Sequence, residues 1–128
     1  MLVYIFRFLL TIALISIMIF ALAPGNWTPA WVVNHDKFSH MVVFFILAFM
    51  LKFSFPKMPV FMQLSLLIAF AFTIELLQYL FFNRGFSVID LIYDLIGIGL
   101  FVVLKGSVPF LVEFIPYKKG TASFKANE

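Results

Sequence analysis

Apolar residues fall in four long runs, at about 4–23, 38–55, 60–82 and 86–104, and polar residues collect at or near their ends. The first run carries Arg7 near its start and ends at the breaker "PGN". The second stops at Pro56, the third at "NRG", and the fourth is followed by Lys105 and Gly106. A helix crosses a bilayer core with roughly 20 residues, within a range of about 17–25, and all four runs qualify. Strand-like alternation is absent, and a lone short chain cannot close a barrel, so helices are the predicted element. The links "PGNWTPAWVVNHDK", "PKMP" and "NRGFS" are short, which favours antiparallel neighbours. The expected fold is all-α: an antiparallel bundle of four transmembrane helices over residues 1–105. Residues 106–128 are expected to form an interfacial segment around "VPFLVEFIP" and a loose tail.

Composition decides the solvent. Apolar residues make up 64% of the 128 residues and charged residues 12%, against about 45–50% and about 25% in soluble domains. So small a domain has too little interior to hide this much apolar surface. "FALA" before Pro24 has the form of a signal-peptidase site, but the lone Arg7 and the following proline favour an uncleaved first helix. Arg7, Lys52, Lys57, Lys105, Lys118, Lys119 and Lys125 fall on one side of the four spans, and Lys37 and Arg84 on the other. The first side is expected to be cytoplasmic, with both termini on it. Trp27 and Trp31 then suit an anchor at the outer interface. A net charge of +3, scattered or in the tail, gives no nucleic-acid footprint. With no cysteine, disulfides, thiol catalysis and thiolate metal sites are excluded.

This orientation gathers the unusual residues at one level. Asp36, Lys37 and His40 open the second helix, Glu75 and Gln78 lie near the outer end of the third, Arg84 is in the outer loop, and Asp90 and Asp94 lie in the outer half of the fourth. Asp36 and His40 are four apart, Glu75 and Gln78 three apart, and Asp90, Asp94 and Gly97 follow one helical stripe. Gly97 on that stripe admits a close neighbour helix. A charge at mid-helix costs about 2.5–3.5 kcal/mol on insertion scales, so the three polar faces are expected to turn towards each other. Asp36 is expected to cap the second helix, and Ser87 or Asp90 the fourth. Lys37 and Arg84 also suit plain interface anchors, and Glu75 with Asp94 a lock between helices.

These residues resemble a family. "HDKFSHMVVFFILAFML" and "IELLQYLFFNRGFSVIDLIYDLIGIGL" are similar to the VanZ-like membrane proteins over roughly residues 36–104. The family pattern falls on Asp36, Lys37, His40 and Phe44, then Glu75, Leu76 and Gln78, then Arg84, then Asp90 and Gly97. Asp94 stands where the family usually has Asn, so a role for a neutral amide there requires a protonated Asp94. The resemblance implies the same four-helix fold, a bacterial cytoplasmic membrane, and a link to the cell envelope and to resistance to glycopeptide antibiotics, notably teicoplanin. It implies no catalytic residues.

Three functions compete. A binding module would hold the head group of a phosphate-bearing envelope lipid or precursor, with Asp36, Lys37, His40, Glu75, Gln78, Arg84, Asp90 and Asp94 as its ligand-binding set. Lys37 and Arg84 would meet phosphate. An enzyme acting on such a lipid would use His40 or Glu75 as general base, Asp94 as a proton-sharing partner and Arg84 against developing charge. A structural protein would use the cluster as helix glue. A divalent metal held by Asp36, His40, Glu75 and Asp90 stays open as an alternative, but these ligands form no recognised spacing and there is no HExxH or P-loop, so the expected set contains no metal and no cofactor. Four short spans give a transporter little machinery.

Overall fold

The structure, a computed structural model, describes residues 1–23, 30, 35–81 and 85–107. Four helices stand out among them: α1 (Leu2–Leu22), α2 (Asp36–Ser54), α3 (Val60–Phe81) and α4 (Val88–Ser107). Their bounds follow the four apolar runs closely. The largest difference is at the end of α4, which continues through Lys105 and Gly106 to Ser107. Lys105 in the last turn suits the negative end of the helix dipole, and Ser107 Oγ donates back to the Val103 carbonyl. Trp27, Trp31, Arg84 and the segment "VPFLVEFIP" lie outside the described residues.

Three helices, α1, α2 and α3, are long and apolar enough to cross a membrane. α4 is as long, but it carries Asp90, Asp94 and Lys105 within its 20 residues. The surfaces of all four helices are greasy. Phe61 is 82% exposed and Phe81 72%. Several helix hydroxyls are satisfied locally: Thr11, Ser65 and Thr73 each donate to the carbonyl four residues earlier, whereas the buried Ser54 Oγ has no partner among the described residues. That habit costs little in lipid, where an unmet donor is expensive.

The interior mixes apolar packing with polar ties. Phe44, Leu47, Ala48 and Leu51 of α2 pack with Leu67, Ala71 and Ile74 of α3 and with Ile98 and Phe101 of α4. Early residues of α1 meet late residues of α2: Phe6 stacks on Phe53, and Arg7 Nε donates to the Ser54 carbonyl at 3.1 Å. The Arg7 guanidinium also lies 4.8 Å from the Phe55 ring centre. This contact closes the C-terminal end of α2, where carbonyls lack helical partners.

α2 and α4 run side by side in the same direction. His40 meets Asp94, Phe45 meets Phe101 edge-on, and Phe49 meets Phe101 one turn later. The pair is close because Gly97 faces the α2 backbone. A Cβ there would run into the Met41 carbonyl oxygen and stand 3.0 Å from the Met41 carbonyl carbon and 3.1 Å from the Phe45 nitrogen. Two helix backbones approach this closely only across a residue without a side chain. The stripe Asp90–Asp94–Gly97 thus faces inward, and Val88, Ile92, Leu95, Ile96, Leu100 and Val103 face out.

Candidate functional site

The polar cluster forms where the first two turns of α2 and of α4 meet the last two turns of α3. α4 begins properly: the Ser87 hydroxyl accepts the Asp90 backbone N–H at 3.2 Å, which makes Ser87 the N-cap. The backbone N–H of Ser87 is then taken by Glu75 Oε2 at 3.0 Å. In an ordinary capping box the acid that accepts this N–H lies three residues along the same helix. Here that acid would be Asp90, and Glu75 of the preceding helix does its work. Asp90 keeps its carboxylate for other partners.

α2 begins differently from the expectation. His35 holds the N-cap position without a side-chain capping bond, and Asp36 is the first helical residue. Asp36 therefore does not cap. One residue inside the helix, it still sits at the positive end of the dipole, and its Oδ1 lies 3.7 Å from His40 Nε2. The other ring nitrogen of His40, Nδ1, is 2.9 Å from Asp94 Oδ1. His40 is therefore held between a half-open acid on its own helix and a buried acid on the neighbouring one.

Glu75 and Asp94 are each 1% exposed. Asp94 has His40 as partner, whereas Glu75 Oε1 is buried and meets no hydrogen-bond partner among the described residues. Such an atom is rare in a folded protein, because leaving a buried acceptor unmet forfeits about 1–3 kcal/mol. Glu75 and Asp94 each lock helices together through a bond of their own, Glu75 to Ser87 and Asp94 to His40.

Two residues of the expected set stand apart. The Gln78 side-chain amide donates to the Ala21 carbonyl at 2.7 Å, so it closes the end of α1 and does not join the acids. Spacing alone put Gln78 on the face of Glu75; a carbonyl left over at the end of α1 claims it instead. Lys37 is exposed and forms none of the ion pairs found among the described residues. Arg84 lies outside the described residues. The structure thus brings together Asp36, His40, Glu75, Asp90 and Asp94.

A separate cleft of about 170 Å³ lies at the other end of the helices, between Ala48, Gln63, Leu67, Phe101 and Lys105. Its walls are mostly apolar, and none of the acids reaches it. Shape and chemistry disagree here; the acids and His40 mark the place where charge is held, so the chemistry locates the site. Comparison of the chain with models of known protein families, with curated proteins and with solved structures gives no match.

Proposed function

We propose that this chain is a VanZ-like bacterial membrane protein whose outward-facing polar site binds the head group of an envelope lipid or lipid-linked precursor. In this reading α4 is a fourth span, the helices form an up-and-down bundle, and both termini lie in the cytoplasm. The outer face of α4 supports the fourth span, since its exposed positions from Val88 to Leu104 are apolar or glycine. Burying Asp94 and half-burying Asp90 within the bundle lowers the cost of carrying them through lipid. The distribution of Arg7, Lys52, Lys57 and Lys105 supports the orientation.

The observation that carries the binding reading is Glu75 Oε1: a buried carboxylate oxygen with no hydrogen-bond partner among the described residues, on a side chain whose other oxygen holds the start of α4. Helix glue would satisfy its own atoms. A head group with amino or hydroxyl donors would satisfy this one, while Lys37 and, by its place in the sequence between α3 and α4, Arg84 would meet its phosphate. The link to glycopeptide resistance would follow if the bound lipid is an antibiotic target or its precursor. The structural reading keeps one specific support, because the His40–Asp94 and Glu75–Ser87 bonds do tie three helices together.

Native mass spectrometry of the protein released from mild detergent separates the two. Binding predicts a co-purified phospholipid-like mass that is lost in Glu75→Gln without loss of folding. Glue predicts no retained mass and a Glu75→Gln variant that differs from the parent only in stability. Reporter tags on the two termini should both report cytoplasmic; an external C-terminus overturns the four-span topology.

A further inference from the structure

Beyond lipid binding, the geometry points to a divalent-cation site formed by Asp36, His40 and Asp90, with Asp94 orienting the imidazole. One ligand atom from each of Asp36, His40 and Asp90 lies within 4.8 Å of the others. Asp36 and His40 are one helical turn apart on one face, the spacing that lets a helix offer two ligands to one ion. Asp90 comes from the first turn of the parallel helix α4, held there by the Gly97 contact and by the Ser87 cap.

His40 is already oriented as a ligand would be. A metal-ligating histidine almost always gives its second ring nitrogen to a carboxylate or carbonyl, which fixes its tautomer and its orientation. His40 Nδ1 sits 2.9 Å from the buried Asp94 Oδ1, so Asp94 accepts the Nδ1 proton. That leaves the Nε2 lone pair facing Asp36 Oδ1 at 3.7 Å. Ligand atoms about 2.0–2.2 Å from a common ion stand closer together than 4.8 Å, so the carboxylates must draw in. Asp36 is exposed and Asp90 half-exposed, and both have room to turn.

A second observation points the same way. Three carboxylates, those of Asp36, Asp90 and Asp94, gather around one imidazole, and no Lys or Arg among the described residues forms an ion pair with them. Such a surplus of carboxylates over cationic groups favours a bound cation. One imidazole with two carboxylates suits Zn²⁺, a borderline ion, best, and Mn²⁺, a harder ion that still accepts an imidazole, better than Ca²⁺ or Mg²⁺, which take all-oxygen ligands. Three protein ligands leave positions open for water or for a phosphate oxygen.

The site stands on the geometry of these residues and is independent of the lipid reading, so its test needs no lipid. The full chain, purified without a polyhistidine tag, is titrated with Zn²⁺ by calorimetry and with Mn²⁺ by pulsed electron paramagnetic resonance. We expect one ion per chain and nitrogen modulation of the Mn²⁺ signal that disappears in His40→Gln. Asp36→Asn and Asp90→Asn, both at accessible positions, should each weaken binding at least tenfold with the thermal unfolding temperature retained. Asp94→Asn should weaken it by about 10–100-fold while nitrogen modulation persists at saturating metal, the behaviour of a positioning residue. Absence of saturable binding, absence of nitrogen modulation, or equal affinity in the Asp36→Asn/Asp90→Asn double variant overturns the proposal.

Discussion

Replacing Gly97 with alanine tests the packing on which the site depends. The new Cβ would run into the Met41 carbonyl oxygen and press on the Met41 carbonyl carbon and the Phe45 nitrogen. All three are backbone atoms of α2, so no flexible side chain can swing aside and the two helices must separate. Overpacking costs about 1–3 kcal/mol, and a clash with helix backbone belongs at the upper end. Alanine's better helix propensity offsets about 1 kcal/mol of this. The net expectation is a loss of about 2 kcal/mol for Gly97→Ala. Gly99, two residues away, would place its Cβ in open space. Gly99→Ala should therefore be neutral or slightly stabilising, by up to about 1 kcal/mol. Equilibrium unfolding by sodium dodecyl sulfate in mixed micelles, followed by circular dichroism, measures both. Equal stability of the two variants refutes the close α2–α4 contact and the inward direction of the Asp90–Asp94–Gly97 stripe with it.

Other substitutions separate the ties around the cluster. Glu75→Ala removes the acceptor for the Ser87 N–H and should cost about 1–3 kcal/mol, whereas Glu75→Gln keeps a carbonyl oxygen for that bond and should cost under about 1 kcal/mol. The same unfolding assay reads both, and equal losses would remove the Glu75–Ser87 bond from the account. Ser87→Ala should cost about 1 kcal/mol through the lost α4 cap, with α4 frayed at its start in amide exchange. Gln78→Leu should cost about 0.5–1.5 kcal/mol and leave metal binding unchanged, because its amide serves the end of α1. A loss of metal affinity in Gln78→Leu would place it back among the acids.

The helices were legible because lipid-facing segments announce themselves by length and apolarity, and breakers such as Pro56 mark where they stop. The inward stripe on α4 was legible for the same reason: Asp90 and Asp94 four apart, with Gly97 after them, have one low-cost direction to face. Individual partners were harder. Gln78 shares helical spacing with Glu75, but a backbone carbonyl on α1, 57 residues away in sequence, decides where its amide goes. The capping residue of α2 was misplaced by one position, since Asp36 pairs with His40 from inside the helix and leaves the N-cap to His35. The His40–Asp94 pair spans 54 residues and depends on α2 and α4 lying side by side. Local pattern carries no term for such a contact; only the glycine hinted at it.

The central claim is one polar site that opens on the outer face of the membrane. The chain contains no cysteine, so single cysteines report position without background. Labelling of Asp90→Cys and Lys57→Cys variants in intact spheroplasts with a membrane-impermeant maleimide tests the claim directly. The account predicts that Asp90→Cys reacts from outside and Lys57→Cys reacts only after the membrane is permeabilised. The reverse pattern, or an Asp90→Cys that stays unreactive in permeabilised membranes as well, would contradict it.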